Sequence, residues 1–311
     1  MNKEVKSLYR RLRPEKFSEV VGQVHIIKTL QNQIKSGHVS HAYLFCGTRG
    51  TGKTTLARIF AKEIKGDILE LDAASNNSVD DVRELTEKIK YPPSFGEYKV
   101  YIIDEVHMFS SSAFNSFLKT LEEPPSHAIF ILCTTEPHKL PQTILSRVLR
   151  FDFRPIPSEE LSKFLKKIFE KEEVIASDEV INILVEKSGG SVRDLLSISE
   201  VVMAYSSTPK SQDVEKILGT VSSLLLRELV LSIVEKDIEK IEKINKEIFE
   251  QSVNVQSIIK DLMKKIREMF REKKEERLLK ICQRFAELEL QIKTSLDQKS
   301  AFESCCFVAM V

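Results

Sequence analysis

Short apolar runs alternate with amphipathic stretches along the first half of the chain. Five of the runs have the length of buried strands, and they lie at residues 41–45, 67–71, 99–105, 128–135 and within 143–151. Between them, apolar residues recur at helical spacing, which predicts helices at residues 24–35, 53–64, 79–90 and 112–121. This alternation predicts an α/β fold whose parallel sheet is covered by helices on both faces.

The strand pattern stops at Pro155 and Pro157, because proline interrupts both a strand ladder and a helix. Periodicity then predicts charged amphipathic helices over 214–311, preceded by helices at 158–172, 177–187 and 191–205. Lys/Glu alternation in the last part also occurs in coiled coils, but without sustained heptads it favours bundle helices. We therefore expect an α/β domain over residues 1–153 and all-helical domains over 154–208 and 209–311.

The composition is that of a globular protein, since 42% of the 311 residues are hydrophobic. No apolar run approaches the roughly 20 residues of a bilayer span, and the first residues lack a signal-peptide pattern. We therefore expect a cytoplasmic protein with no membrane partner. Reduced thiols are expected because the cysteines form neither a disulfide framework nor a zinc spacing; they are Cys46, Cys133, Cys282, Cys305 and Cys306.

Basic charge is concentrated at the N-terminal end, although the net charge of the chain is only +1. Residues 1–65 hold 13 Lys/Arg against 4 Asp/Glu, whereas residues 66–152 hold 8 against 14. This distribution favours binding of a polyanion, either a nucleotide or a nucleic acid. A solvated basic face without a partner explains the charge alone equally well.

A glycine-rich segment follows the first strand and opens the next helix. Gly47, Gly52, Lys53 and Thr54 satisfy the pattern G-x-x-x-x-G-K-[ST], in which backbone N–H groups surround phosphate oxygens. Lys53 is expected on the β- and γ-phosphates, and the Thr54 hydroxyl in a Mg²⁺ shell. A chance glycine turn would not require a strand before it and a helix after it. The remaining positions expected to bind phosphate are Thr48, Gly50, Thr51 and Thr55.

Polar side chains also end the third and fourth predicted strands. Asp104 and Glu105 follow one apolar run, and Thr134 and Thr135 follow the next. At the carboxyl end of a parallel strand, Asp104 can hold Mg²⁺ and Glu105 can polarise a water for attack on the γ-phosphate. A threonine at the neighbouring strand end could sense that phosphate. Solvated strand ends are the alternative for both pairs.

A connected series of motifs identifies a family. The chain resembles the gamma/tau subunits of the bacterial DNA polymerase III clamp loader, which are AAA+ ATPases, in motifs at residues 9–14, 17–23, 41–45, 71–75, 99–108, 114–125, 134–135, 144–147 and 189–194. The resemblance is nearly continuous from about residue 7 to residue 200. It implies an AAA+ core, a helical lid domain and a helical collar domain for oligomerisation.

The resemblance also implies roles for individual residues. Asp104 and Glu105 would be the Walker B acid and the catalytic base, and Thr135, in preference to Thr134, would be sensor 1. Arg193 would be sensor 2, reaching the nucleotide from the lid. The Walker A segment would hold the phosphates. The residues flanking adenine and ribose would be the segment from Tyr9 and Arg10 to Pro14, together with Val20 and Val21.

Arg147 matches the arginine finger, which acts on the ATP of a neighbouring subunit. Val148 follows it where the family commonly has cysteine, and this change leaves the guanidinium charge in place. A structural ion-pairing arginine is the alternative. A clear departure from the family is the direct run through residues 61–67, where other members carry a four-cysteine zinc module, so zinc is not expected. The length resembles the short gamma form or a truncated product.

The family's activity, if shared, is ATP-dependent loading of a sliding clamp onto primed DNA. The partners implied are delta-like and delta-prime-like subunits, further gamma copies, the clamp, and primer–template DNA held through its phosphates. The turn at residues 75–78 is the candidate helix end for DNA. The alternatives are a non-hydrolysing scaffold subunit of the same assembly and another AAA+ DNA-processing motor. Intact nucleotide motifs argue against the scaffold.

Overall fold

A five-stranded parallel sheet organises the first half of the molecule. The computed structural model describes residues 7–250 and 254–310. Within these residues the sheet has the order β2-β3-β4-β1-β5, and its strands are β1 Ala42–Gly47, β2 Asp67–Asp72, β3 Lys99–Asp104, β4 Ala128–Thr134 and β5 Leu149–Phe153. All the neighbouring pairs are parallel. The predicted fold class is therefore confirmed, with strand ends within a few residues of the apolar runs.

Both faces of the sheet are buried, because successive side chains of each strand point to opposite sides. On β1, Tyr43 and Phe45 belong to one apolar cluster, while Leu44 and Cys46 belong to another. The central strand β4 is buried along its whole length. This double burial explains why the strands appear in the sequence as continuous apolar runs instead of alternating ones.

Helices cover these two faces and continue beyond the sheet. Those of the first half are α1 Leu8–Arg11, α2 Val24–Ser36, α3 Lys53–Glu63, α4 Val79–Ile89, α5 Ser111–Glu122, α6 Gln142–Leu145, α7 Ser158–Lys171, α8 Asp178–Ser188 and α9 Val192–Tyr205. Serine hydroxyls at Ser78, Ser110 and Ser177 accept hydrogen bonds from backbone N–H groups at the starts of α4, α5 and α8. The sequence pattern misses α1 and α6, since four residues are too few to show a helical period.

The chain divides into two compact units, Met1–Ala204 and Tyr205–Val311. The predicted boundary at 208/209 lies close to this division, while the boundary at 153/154 within the first unit stays a prediction. The outermost positions of the predicted domains, residues 1–6 and 311, lie outside the described residues. In the first unit, α1 packs on α7 and α9 through Leu8, Ile168 and Leu196.

The second unit is a bundle of helices around one apolar core. Its described helices are α10 Ser211–Leu218, α11 Ser223–Glu235, α12 Ile238–Glu250, α13 Val255–Lys273, α14 Glu276–Thr294 and α15 Gln298–Val308. α11 packs on α12, and α13 packs on α14. The Lys/Glu-rich segments are therefore bundle helices, which the sequence favoured over a coiled coil. Within residues 7–250 and 254–310, no single helix combines the length and apolar composition needed to cross a membrane, although α10 and α11, bent by 76°, pass that test as a pair.

Substitution of Phe130 tests the packing around the central strand β4. The Phe130 ring is fully buried, stacks on Tyr101 at 5.5 Å and meets the edge of Phe117 at 5.3 Å. Phe130→Ala is expected to lower the free energy of unfolding by about 3–5 kcal/mol in a urea titration, because it leaves a cavity. Ile175→Ala, at a position that is 76% exposed, should change it by less than about 0.5 kcal/mol. Equal effects of the two variants would contradict this packing.

Candidate nucleotide-binding site

A cavity of about 710 Å³ lies in the first unit at the carboxyl edge of the sheet. Most of the residues assigned to a nucleotide from the sequence line it, namely Tyr9, Arg10, Pro14, Val20, Val21, Gly50, Thr51, Gly52, Lys53, Thr54, Thr55, Asp104, Glu105 and Arg193. These residues come from α1, the loop after it, the loop after β1, α3, the end of β3 and the start of α9. The structure therefore brings widely separated segments to one place.

Four assigned residues stand outside the lining of this cavity. The carbonyl oxygens of Gly47 and Thr48 accept hydrogen bonds from Lys53 Nζ, at 2.8 and 3.0 Å. Thr135 contacts Glu105, and Arg147 lies on the segment after α6. Gly47 and Thr48 thus hold the Lys53 side chain through their carbonyl oxygens, while Arg147 lies outside the cavity lining.

The loop between β1 and α3 packs directly against the start of α9. Gly50 has a φ of +75°, and a Cβ added there would collide with Ser191 Oγ. The backbone N–H of Val192 donates a hydrogen bond of 3.1 Å to the Gly50 carbonyl oxygen. Only glycine combines this backbone conformation with this close approach.

Lys53 is held inside the loop. Its side chain is buried, and its ammonium donates to the two carbonyl oxygens already named. Burial lowers the pKa of Lys53, while nearby acidic groups that include Glu105 and Asp104 oppose the shift. The arrangement places a positive charge where the N-terminus of α3 also attracts anions.

Two oxygen ligands suited to Mg²⁺ lie side by side. Thr54 Oγ1 donates a hydrogen bond of 2.7 Å to Asp104 Oδ2, and the backbone N–H of Glu105 donates to Asp104 Oδ1 at 3.1 Å. A hydroxyl and a carboxylate are hard donors of the kind that Mg²⁺ uses beside phosphates. The donor set therefore fits the ion that the sequence implied.

Glu105 is fixed by a strained backbone and by Thr135. Its φ of +48° lies in the left-handed region, which is uncommon for a residue with a side chain. The carboxylate oxygen Oε2 accepts hydrogen bonds from Thr135 Oγ1 at 3.1 Å and from Thr135 N at 3.3 Å. Of the two threonines, Thr135 is thus the one beside the acid, and its role as a phosphate sensor stays a prediction.

Arg193 lies against an aromatic ring on the cavity wall. Its Cζ atom is 5.0 Å from the centroid of the Tyr9 ring, within the range of a cation–π interaction. The N-terminal helix is fixed there because Leu8 N donates to Glu200 Oε1 of α9 at 3.0 Å. Tyr9 and Arg193 therefore form one part of the wall, although α1 and α9 are far apart in sequence.

Arg147 is paired within its own chain. Its guanidinium forms an ion pair of 2.8 Å with Glu122 and donates to the Thr143 carbonyl oxygen at 2.8 Å. The side chain stays 35% exposed. The structural ion pair named as the alternative is present, and the role in trans stays a prediction.

Several residues that line the cavity have no role expected from the sequence. Arg58 forms a two-pronged pair with Glu70, and neither residue was assigned to the nucleotide. Arg13, which lies within the expected segment 9–14, donates from Nε to Thr55 Oγ1 at 3.3 Å. Arg58 could have been found, since it lies one helical turn after Thr54 and shares its face. Leu12 and Arg49 lie within the segments 9–14 and 47–54, which the resemblance assigns to the nucleotide. The sequence gives no signal for Phe164, Val192 and Leu196, which meet the cavity only through tertiary packing.

The helix end considered for DNA is closed by its own side chains. Ser78 Oγ accepts from Asp81 N at 3.2 Å, and Asp81 Oδ2 accepts from Ser78 N at 3.0 Å. Asp80 and Asp81 also place two carboxylates in the first turn of α4. These charges oppose the attraction of the helix dipole for phosphate, and DNA contact here stays a prediction.

Comparison with known proteins gives the family. A family model described as "DNA polymerase III, delta subunit" matches residues 22–70 and 66–157. The DNA polymerase III subunit tau of Bacillus subtilis (strain 168) is 43% identical over 289 residues, covering 85% of this chain and 51% of that protein. The DNA polymerase III subunit gamma of Buchnera aphidicola subsp. Baizongia pistaciae (strain Bp) is 35% identical over 284 residues, covering 82% and 76%. The chain belongs to the DNA polymerase III gamma/tau family.

The resemblance inferred from the motifs is thereby confirmed. This gamma/tau chain spans about half the length of the Bacillus subtilis relative and 44% of the tau subunit of Escherichia coli (strain K12), to which it is 37% identical. Among solved structures, the RuvB Holliday junction branch migration motor of Thermotoga maritima matches with a TM-score of 0.57 over 71% of this chain and 79% of that one. Its sequence identity of 21% extends the likeness to the fold alone.

Gly50 tests the contact between the loop and α9. Gly50→Ala is expected to weaken binding of a fluorescent ATP analogue at least tenfold, because the added methyl group displaces Ser191 and strains the loop. Gly37→Ala is the matched control: Gly37 also has a positive φ, of +69°, but no atom lies within 4 Å of an added Cβ. Equal affinities for the two variants would show that the contact does not shape the site.

Proposed function

We propose that this gamma/tau chain binds and hydrolyses ATP as a subunit of a clamp loader. One observation carries the proposal: Lys53, Thr54, Asp104, Glu105 and Arg193, from three separate segments, surround a single cavity. A subunit that serves only as a scaffold has no need of all five groups around one cavity. This set supports a hydrolysing subunit over the scaffold alternative.

In this proposal each group has one task. The loop N–H groups and Lys53 bind the β- and γ-phosphates, and Thr54 and Asp104 hold Mg²⁺, which neutralises phosphate charge when bound. Glu105 orients and polarises the attacking water, and Thr135 holds the Glu105 carboxylate in place. Arg193 contacts the phosphates from α9, and the adenine and ribose lie between α1 and the loop at Val20 and Val21.

The reaction is proposed to be completed by a neighbouring subunit. Arg147 lies outside the cavity of its own chain, and its exposed fraction makes it available to a second nucleotide site. An arginine supplied in trans stabilises charge in the transition state, which makes hydrolysis depend on assembly. The proposed partners are delta-like and delta-prime-like subunits and further gamma copies, together with a sliding clamp and primed DNA, in the cytoplasm.

ATP hydrolysis by the assembled complex tests the proposed function. The complex is expected to hydrolyse ATP faster when both primed DNA and the clamp are added than with either one alone. Glu105→Gln in this subunit should remove about 100-fold or more of its turnover while retaining ATP binding, since it removes a catalytic base. A rate indifferent to DNA and clamp would exclude the loader. ATP binding without hydrolysis at this subunit would favour the scaffold.

Arg147→Ala tests the action in trans. In a complex where only one gamma copy carries the change, hydrolysis at the neighbouring site should fall about 10³-fold, because the transition state loses its guanidinium. ATP binding by the altered copy should not change. Arg150→Ala is the matched control, since Arg150 is an exposed arginine nearby that pairs with Asp152. If both variants keep full activity, Arg147 has only its structural ion pair.

A further inference from the structure

His107 lies beside the proposed catalytic base and has no role in the function described so far. It belongs to a single helical turn, Val106–Met108, that directly follows Glu105. The side chain is only 7% exposed. Its ring nitrogen Nδ1 lies 3.0 Å from Thr134 Oγ1 and 3.4 Å from Glu105 Oε2. The ring therefore joins the end of β3 to the end of β4, where Glu105 and Thr135 meet.

The opposite ring nitrogen faces a second carboxylate at a longer distance. Nε2 is 4.0 Å from Glu136 Oε1, and Glu136 forms an ion pair of 2.5 Å with Lys139. The Lys139 ammonium, with His107 and His138 also near, lowers the pKa of Glu136. The two sides of the ring are thus unequal: Nδ1 is within contact of Thr134 and Glu105, while the acid facing Nε2 already has a cation.

The hydrogen bonds at Thr134 indicate where the ring carries a proton. Thr134 Oγ1 already accepts a hydrogen bond of 3.0 Å from the backbone N–H of Glu136, and it lies 3.0 Å from Nδ1. A bare Nδ1 would carry a lone pair on the nitrogen that lies 3.4 Å from the Glu105 carboxylate oxygen, and the two would repel each other. An N–H at Nδ1 avoids this repulsion and donates to Thr134 Oγ1 on the side that also faces Glu105.

We propose that His107 is a positioning residue for Glu105, a role that rests on the proposed ATP hydrolysis. The Nδ1–H group and the two donors of Thr135 approach the same carboxylate oxygen, Oε2. Among the residues that the structure describes, no protein donor contacts the other oxygen of Glu105. One oxygen is therefore anchored to the ends of β3 and β4, and the second remains the acceptor for water. His107 sets the direction of the base without touching the substrate.

Replacing His107 with asparagine or glutamine distinguishes a role in positioning Glu105 from a role in packing alone. The amide nitrogen of asparagine can occupy the place of Nδ1, whereas that of glutamine reaches towards the place of Nε2. Both are polar, and neither has the volume of the imidazole ring. If His107 acts through Nδ1, asparagine should restore function and glutamine should not. If the ring only fills space, the two amides should be equally poor.

The test compares His107→Asn, His107→Gln and His107→Leu in the assembled complex with clamp and primed DNA. The Leu and Gln variants are expected to lower kcat for ATP hydrolysis about tenfold, less than loss of the base itself, with KM within about twofold. The Asn variant should stay within about threefold of wild type. Equilibrium ATP binding and the midpoint of urea unfolding should stay near wild type in the Asn and Gln variants, which shows that they fold.

Several results would overturn the proposal. Equal losses in the Asn and Gln variants would assign His107 to packing, a change in KM alone would assign it to binding, and faster hydrolysis would make it an inhibitor of Glu105. Glu136→Gln is the control on the Nε2 side and should leave kcat unchanged; a loss as large as that of the Leu variant would place the effect on the wrong nitrogen. A wild-type complex that binds ATP without hydrolysing it would refute the proposed function, and this inference with it.

Discussion

The parallel pairing of β1, β4 and β3 is the constraint on which the rest of the site depends. In this register Cys46 lies opposite Thr134, and Ile103 lies opposite Leu132, so the strands end along one edge. The loop at residues 47–54, the acidic pair and the two threonines therefore lie close together although they are far apart in sequence. A slip of one residue would exchange the two buried faces of a strand. On β1 it would exchange Tyr43 and Phe45 with Leu44 and Cys46, and the different sizes of these side chains oppose such a slip.

A second set of contacts connects the loop to the helices after the sheet. The hydrogen bond from Val192 N to the Gly50 carbonyl oxygen places the start of α9, and with it Arg193, against the loop. The N-terminal helix adds a bridge, because Leu8 N contacts Glu200 of α9 and Arg13 contacts Thr55 of α3. These contacts support the proposal that a nucleotide bound in the loop also affects the position of α9.

The sheet and most of the cavity could be predicted from the sequence, because the patterns that encode them are local. The Gly47–Thr54 spacing, the apolar runs and the acidic strand end each encode their geometry within a few residues. Features that arise from packing between distant elements could not be predicted from the sequence. They are helix α1, the Arg58–Glu70 pair and the position of Phe164 in the cavity wall. The neighbourhood of His107 is of the same kind, since β4 supplies Thr134 only through the sheet register.

We propose that the loop and the start of α9 form one nucleotide site. Hydrogen exchange of the backbone amides, measured with and without ATP and Mg²⁺, tests it most directly. We expect added nucleotide to slow exchange in residues 47–55 and in residues 190–196 together, and we expect Gly50→Ala to weaken both effects. Protection confined to the loop, with exchange at α9 unchanged by saturating nucleotide, would contradict it.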